Sequence, residues 1–206
     1  MAAGNHGTHD HPVLSDPEAR VRALETILVE KGYVQPEVLD WIVERFESQV
    51  GPHIGAKIVA RAWSDPEFCR ALLRDGSSAI NAAGEWGKVA YQLIAVQNTP
   101  DRHNLVVCTL CSCYPYDILG LPPSWYKSEA YRSRAVLEPR LVLRELGLEL
   151  PEDVDISVFD STADTRYLVI PIRPAGTDGW TEQSLSSLVT RDSMVGAARA
   201  REPGDE

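Results

Sequence analysis

A short cysteine-rich segment constrains this chain more than any other feature. Three of its four cysteines fall in Val107-Cys108-Thr109-Leu110-Cys111-Ser112-Cys113. Thiols this close together, in a chain with no signal-peptide pattern, indicate a metal site more than disulfides. The fold must therefore present this segment as a loop that gathers its sulfur atoms.

The spacing of the last two cysteines gives the segment a particular chemistry. Cys111 and Cys113 bracket two peptide nitrogens, those of Ser112 and Cys113. If one metal takes both sulfurs and both nitrogens, the chelate rings are small and the four donors can lie in one plane. Cys108 can then supply an axial donor, which leaves a sixth position open to water or substrate. Metal sites with an open position are the catalytic kind.

Zinc is the alternative that the spacing leaves open. A structural zinc site needs four ligands, and this motif supplies three thiolates. His103 or Cys69 could be the fourth ligand. No second cysteine pair and no histidine pair at finger spacing follow, so a non-catalytic zinc-binding interaction module is an incomplete but open interpretation.

The segment, followed by Tyr114-Pro115, resembles the metal-binding signature of the nitrile hydratase alpha subunit. The gamma subunit of thiocyanate hydrolase shares this signature and is the close relative. The likeness covers roughly residues 18 to 196, because several separated blocks agree in order. These blocks are Leu119-Gly120-Leu121-Pro122-Pro123, Trp125-Tyr126-Lys127, Arg132-Ser133-Arg134, Asp160-Ser161, Arg166-Tyr167, Arg173-Pro174-Ala175-Gly176-Thr177 and Leu188-Val189-Thr190-Arg191-Asp192.

The resemblance implies an enzyme that hydrates a nitrile to the amide at a low-spin cobalt centre, with one Co3+ per chain. Thr109 and Tyr114 stand where cobalt members have Thr and Tyr, so iron is the less expected metal. It also implies that Cys111 is oxidised to sulfinic acid and Cys113 to sulfenic acid, which makes these two the catalytic residues. The implied ligands are Cys108, Cys111, Ser112 through its backbone nitrogen, and Cys113.

The resemblance also implies partners. The expected ones are a beta subunit, in a hetero-oligomer, and a metallochaperone that inserts cobalt. In the family, two arginines of the beta subunit reach the oxidised sulfurs. Arg132, Arg134 and Arg166 of this chain are further candidates for support of the site, or ordinary surface residues.

Two stretches depart from the family pattern. Cobalt members commonly read Pro-Trp-Pro after the motif, whereas this chain reads Pro115-Tyr116-Asp117. With Tyr114, the residues Tyr116 and Asp117 form the predicted substrate pocket, which we expect to be roomier and more polar. The family's Gln-Gly-Glu is replaced by Lys88-Val89-Ala90, and the glutamine normally supports the site from behind the ligands.

Length, charge and periodicity predict the organisation. The net charge of −10 argues against nucleic acid or an anionic membrane as partner. We expect a cytoplasmic α+β protein, in which an N-terminal helical arm precedes a layered α/β/β/α-type globular domain. The predicted segments are a disordered N-terminus (1–15), the helical arm (16–83), the globular metal-binding catalytic domain (84–196) and a disordered tail (197–206).

Apolar spacing and turn residues predict the local elements. Predicted helices cover residues 16–32, 36–50, 54–63, 65–76, 128–146 with a division at Pro139, and 181–189. Predicted strands cover 91–96, 105–107, 154–159 and 166–172. The cysteine loop then follows directly from a strand, which is a rigid platform for a metal site.

Overall fold

The computed structural model describes residues 16–48, 51–111 and 113–204. The predicted disordered segment 1–15 lies outside the described residues. The chain divides into two compact units between Glu44 and Arg45. Among the described helices, none is long and apolar enough to cross a membrane.

The described part of the first unit contains α1 (Asp16–Glu30) and most of α2 (Pro36–Ser48). Proline occupies the first position of α2, where its missing N–H has no helical partner in any case. Apolar side chains recur at helical spacing but remain exposed, with Leu24 61% and Trp41 56% exposed. Exposed apolar helix faces of this kind mark surfaces that bind other proteins.

The second unit begins with α3 (Pro52–Ser64), α4 (Pro66–Arg74) and α5 (Gly76–Ala83). The Asp65 carboxylate caps α4, and the Asp75 carboxylate caps α5 by accepting the N–H of Ser78. Helix α5 was not predicted from the sequence, because Gly76 was expected to end the preceding helix. These helices pack within the unit that contains the strands, whereas the predicted domain boundary lay at residue 83.

The four strands found among the described residues form two parallel pairs. Strand β1 (Gln92–Gln97) pairs with β4 (Thr165–Ile170), and β2 (Arg102–Val107) pairs with β3 (Asp155–Asp160). The turn after β1 therefore leads into a strand of the other pair. Because parallel strands end at the same edge, Asp160 lies opposite Val107, next to the start of the cysteine loop. The predicted α+β class, with helices preceding small sheets, is confirmed.

Short helices surround the strands. They are α6 (Tyr116–Leu119), α7 (Ser124–Lys127), α8 (Glu129–Leu137), α9 (Pro139–Glu145), α10 (Glu182–Ser186) and a 3-10 helix (Ser193–Val195). Pro139 divides α8 from α9 as predicted. Helices α6 and α7 were not predicted from the sequence, because they are single turns and carry no periodic pattern.

The core centres on β2 and β4. Leu105, Val106 and Val107 are fully buried, and so is Cys108 directly after them. A strand covered on both faces reads as a continuous apolar run, which is what these residues show. The burial continues past the predicted tail boundary, because Ala200 is buried and the Arg201 N–H donates to Leu188 O at 2.8 Å. The tail expected to be disordered from residue 197 is therefore packed at its start.

A buried polar network secures the start of β2, at the opposite end from the cysteines. Asn98 Oδ1 accepts the Asn104 N–H at 2.8 Å, and Asn98 Nδ2 lies 3.2 Å from His103 Nδ1. His103 Nε2 lies 2.7 Å from Gly196 O, and a carbonyl can only accept, so Nε2 carries the proton. Gly196 has φ 80°, and a Cβ there would overlap the Asn104 carbonyl. The network is satisfied only when His103 is neutral.

This network predicts how stability depends on pH. Burial, above all, lowers the pKa of His103 from its ordinary 6.5. The unfolded chain binds this proton more readily, so the contribution is present above about pH 6.5 and is lost as pH falls. We expect the wild type to lose more unfolding free energy than H103Q between pH 7.5 and 5.5, by up to about 1.4 kcal/mol per pH unit. Urea titrations at both pH values measure this, and equal losses would contradict it.

Candidate metal centre

The three clustered cysteines converge on one point. Cys111 Sγ lies 3.2 Å from Cys108 Sγ and 3.0 Å from Cys113 Sγ, and all three sulfurs lie within 4.8 Å of one another. The Cys111 N–H also donates to Cys108 Sγ at 3.4 Å. Ser112 lies outside the described residues, so its role as a backbone ligand stays a prediction.

The carboxylate of Asp160 holds one side of the loop. At the end of β3, its Oδ1 accepts the Thr109 N–H at 2.9 Å and its Oδ2 accepts the Thr109 hydroxyl at 2.6 Å. The pairing of β2 with β3 brings this carboxylate to the loop. This role of Asp160 was not predicted from the sequence, because the parallel register was not recognised.

Two buried tyrosines support the loop from below. Tyr126 donates its hydroxyl to Cys113 O at 3.0 Å, and Tyr131 donates to Val106 O at 2.6 Å. Burial raises the pKa of both phenols far above the ordinary value, so both remain protonated donors. Tyr131 of α8 therefore holds the end of β2, and Tyr126 of α7 holds the loop at Cys113.

Of the three arginines singled out in the sequence, Arg132 reaches the loop. Its Nη1 lies 3.3 Å from Cys111 O and 3.5 Å from Thr109 O. Arg134 instead pairs with Glu145 through two bonds of 2.8 Å. Arg166 stacks its guanidinium 4.5 Å from the ring centroid of Tyr91.

The free thiol of Cys113 does not ionise readily. Burial, followed by hydrogen bonds and repulsion from the other two cysteines, raises the pKa of Cys113 to about 12. A thiolate set here therefore needs a compensating cation. Three convergent sulfur donors fit a thiolate-bound metal.

Neither candidate for a fourth zinc ligand joins the cluster. Within the described residues, the group that could hold a metal consists of the three cysteines alone. His103 has both ring nitrogens engaged in the network at the other end of β2. Cys69 packs against the core from α4, and burial raises the pKa of its thiol. The site is thus not closed by these residues.

The predicted pocket residues occupy different depths. Tyr114 is fully buried and packs against Tyr126, with ring centroids 5.1 Å apart. Tyr116 is 37% exposed and Asp117 is half-buried. Tyr114 can therefore affect a pocket only through the residues packed over it, whereas the exposed side chain of Tyr116 can contact a ligand directly.

The stretch that replaces Gln-Gly-Glu has its own anchor. Val89 is buried, its N–H donates to Asn81 Oδ1 at 2.8 Å, and its carbonyl accepts from Asn81 Nδ2 at 3.0 Å. The segment before β1 is thus fixed to α5 by a side chain.

Thiols gathered at the end of a parallel strand pair, without a fourth ligand among the described residues, define an open thiolate metal site. The chain belongs to the nitrile hydratase alpha-chain family, because the family model described as "Nitrile hydratase, alpha chain" matches residues 15–198. This confirms the resemblance on which the sequence analysis relied, and with it the predicted enzyme class.

Individual relatives agree with this assignment. The high-molecular-weight cobalt-containing nitrile hydratase alpha subunit of Rhodococcus rhodochrous is 50% identical over 187 residues, covering 90% of this chain and 92% of that subunit. The thiocyanate hydrolase gamma subunit of Thiobacillus thioparus is 42% identical, covering 90% and 80%. A double mutant of the Fe-type nitrile hydratase from Comamonas testosteroni Ni1 superposes with a TM-score of 0.78 at 41% identity, covering 92% and 94%.

The tyrosine supports can be tested with a matched pair. Y126F removes a buried donor and leaves Cys113 O unpaired, so we expect a loss of about 1 to 2 kcal/mol of unfolding free energy. Y114F removes a hydroxyl that is buried without a partner among the described residues, so we expect no loss or a small gain. Chemical denaturation of the metal-free chains measures both. Equal destabilisation by the two variants would contradict the assignment.

Proposed function

We propose that this chain is the alpha subunit of a cobalt nitrile hydratase, which adds water to a nitrile to give the amide. The observation that carries the proposal is the convergence of Cys108, Cys111 and Cys113 within 4.8 Å, with no fourth protein ligand among the described residues. Bound Co3+ would supply Lewis acidity toward the nitrile or a water. The Ser112 nitrogen completes the proposed donor set.

The burial of the three sulfurs supports different roles for them. Cys108 is fully buried at the end of β2 and serves as the fixed thiolate. Cys111 is exposed and Cys113 is half-buried, so both can be reached by oxidants, as their proposed sulfinic and sulfenic states require. The oxygen on Cys113 then accepts a proton from the attacking water or attacks the nitrile carbon itself.

Exposed apolar side chains, described for each unit separately, support a partner subunit. Leu110, in the middle of the loop, is 87% exposed, and the helices of the first unit expose apolar side chains. Such surfaces fit a beta subunit in a hetero-oligomer, embraced by the N-terminal helical arm. A metallochaperone that inserts cobalt and a cytoplasmic location complete the proposal.

Thiocyanate hydrolysis is the second candidate. Thiocyanate also presents a carbon–nitrogen triple bond to a metal, and the 42% identity to a thiocyanate hydrolase gamma subunit favours this candidate over unrelated chemistry. Turnover of thiocyanate and of nitriles by the same cobalt-loaded preparation separates the two.

Metal analysis tests the site directly. We expect about one cobalt per chain in the wild type and in C69A, whose thiol lies outside the cluster. We expect C108A to retain little cobalt, because it loses the buried donor. Mass spectrometry of the peptide spanning residues 107–114 should show added oxygen on two cysteines. Zinc bound to three unmodified thiols would contradict the proposal.

The replacement of the family's tryptophan by Tyr116 predicts substrate preference. A smaller, partly exposed side chain with a hydroxyl should favour bulky polar nitriles, such as functionalised heteroaromatic ones. We expect Y116W to lower kcat/KM for these substrates by about tenfold, with a smaller effect on small aliphatic nitriles. A wild-type preference for small aliphatic nitriles would contradict this prediction of substrate preference.

A further inference from the structure

Arg132 is half-buried on α8 and lies against the inner side of the cysteine loop. Its Nη1 faces two loop carbonyls, at 3.3 Å from Cys111 O and 3.5 Å from Thr109 O. Its Nε is buried and has no hydrogen-bond partner among the described residues. Among the described residues, the ion pairs formed from α8 involve Arg134 and not Arg132. Its positive charge therefore remains available to the loop.

The two carbonyls that accept from Arg132 belong to the metal-binding loop, at Thr109 and Cys111. The Thr109 N–H donates to Asp160, and the Thr109 carbonyl accepts from Arg132, so two side chains hold this turn. The Cys111 carbonyl belongs to the peptide unit whose nitrogen is that of Ser112. A donor that fixes the Cys111 carbonyl also limits the movement of the Cys111 backbone, from which the Cys111 sulfur projects.

We propose that Arg132 is a positioning residue for the metal centre, which holds the Cys111 and Thr109 carbonyls in place and brings a permanent positive charge beside the thiolates. The inference rests on the proposed function, because it needs a metal bound to these sulfurs. Arginine suits this role, since its guanidinium stays charged and its donors have a fixed geometry. A set of anionic ligands is stabilised by a nearby cation that cannot lose its proton.

The same helix provides a matched control. Arg134 lies two residues further along α8, where the helical rotation turns it away from the loop, and it binds Glu145 instead. R134M therefore removes an arginine, a charge and an ion pair from the same helix without touching a loop carbonyl. A purely structural role of α8 would make R132M and R134M behave alike.

The test uses the cobalt-loaded complex of this chain with its partner subunit. R132M, R132K and R134M are compared with the wild type by the sulfur-to-cobalt charge-transfer absorption and by the rate of cobalt loss to a chelator. Thermal unfolding of each complex reports general destabilisation separately. Neither optical band position nor metal release requires turnover to be measured.

We expect R132M to lose cobalt about tenfold faster or more, and its charge-transfer band to move to longer wavelength. The band moves because the sulfur electrons are held less tightly once the neighbouring charge is removed. R132K keeps the positive charge but loses the planar guanidinium with its fixed donors. Its band should therefore stay near the wild-type position, while its rate of cobalt loss is intermediate. R134M should retain the wild-type band and rate, even if its Tm falls.

Several results would overturn the inference. R132M with the wild-type band and cobalt retention would do so, and so would R134M changing as much as R132M. If R132M does not assemble, R132K decides, because a wild-type rate of cobalt loss in R132K is incompatible with a positioning role. A wild-type complex that holds no cobalt would overturn the proposed function and this inference together, whereas an indifferent R132M in a cobalt-loaded complex overturns the inference alone.

Discussion

The bidentate contact between Asp160 and Thr109 is the interaction on which the site depends. It joins the end of β3 to the first turn of the cysteine loop through bonds of 2.9 and 2.6 Å. Charge-assisted hydrogen bonds are stronger and shorter than neutral ones, so this contact fixes the loop where a neutral pair would allow more movement. It exists only because β2 and β3 are parallel and in a register that ends both strands together. The chemistry of the sulfurs thus begins with strand pairing.

The loop is then supported from several other elements. Tyr126 and Tyr131 donate to backbone carbonyls at its two ends, and Arg132 donates to carbonyls inside it. All three approach backbone oxygens, which leaves the sulfur atoms to converge on one another. A site built this way can accept a metal without first breaking a side-chain contact among these supports. The fully buried strand end below it gives the assembly a rigid base.

Local features of this chain were predictable from sequence, and distant contacts were not. The ligand cysteines were found because their spacing lies within one loop, and most helices were found because proline, aspartate and apolar periodicity mark them. The contact of Asp160 was not predicted, because it links residues 51 positions apart through an unrecognised parallel register. The sequence could not distinguish the roles of Arg132 and Arg134. Helical rotation shows that the two side chains face different directions, but it does not show which one faces the loop. The short α6 and α7 lack a period, and each is held by its buried side chains, which are Ile118 and Leu119 in α6 and Tyr126 in α7.

The long sequence separation within the site has a consequence for how the protein is made. During synthesis, the cysteines leave the ribosome well before Asp160 and β3 exist to hold their loop. Contacts between distant segments also form late in folding, because the intervening chain must first be ordered. For that interval the nascent thiols lie on an unpaired strand end, open to any metal or oxidant in their surroundings. Correct loading therefore belongs to a stage after the strand pairs have closed, when the chain can present all three sulfurs at once.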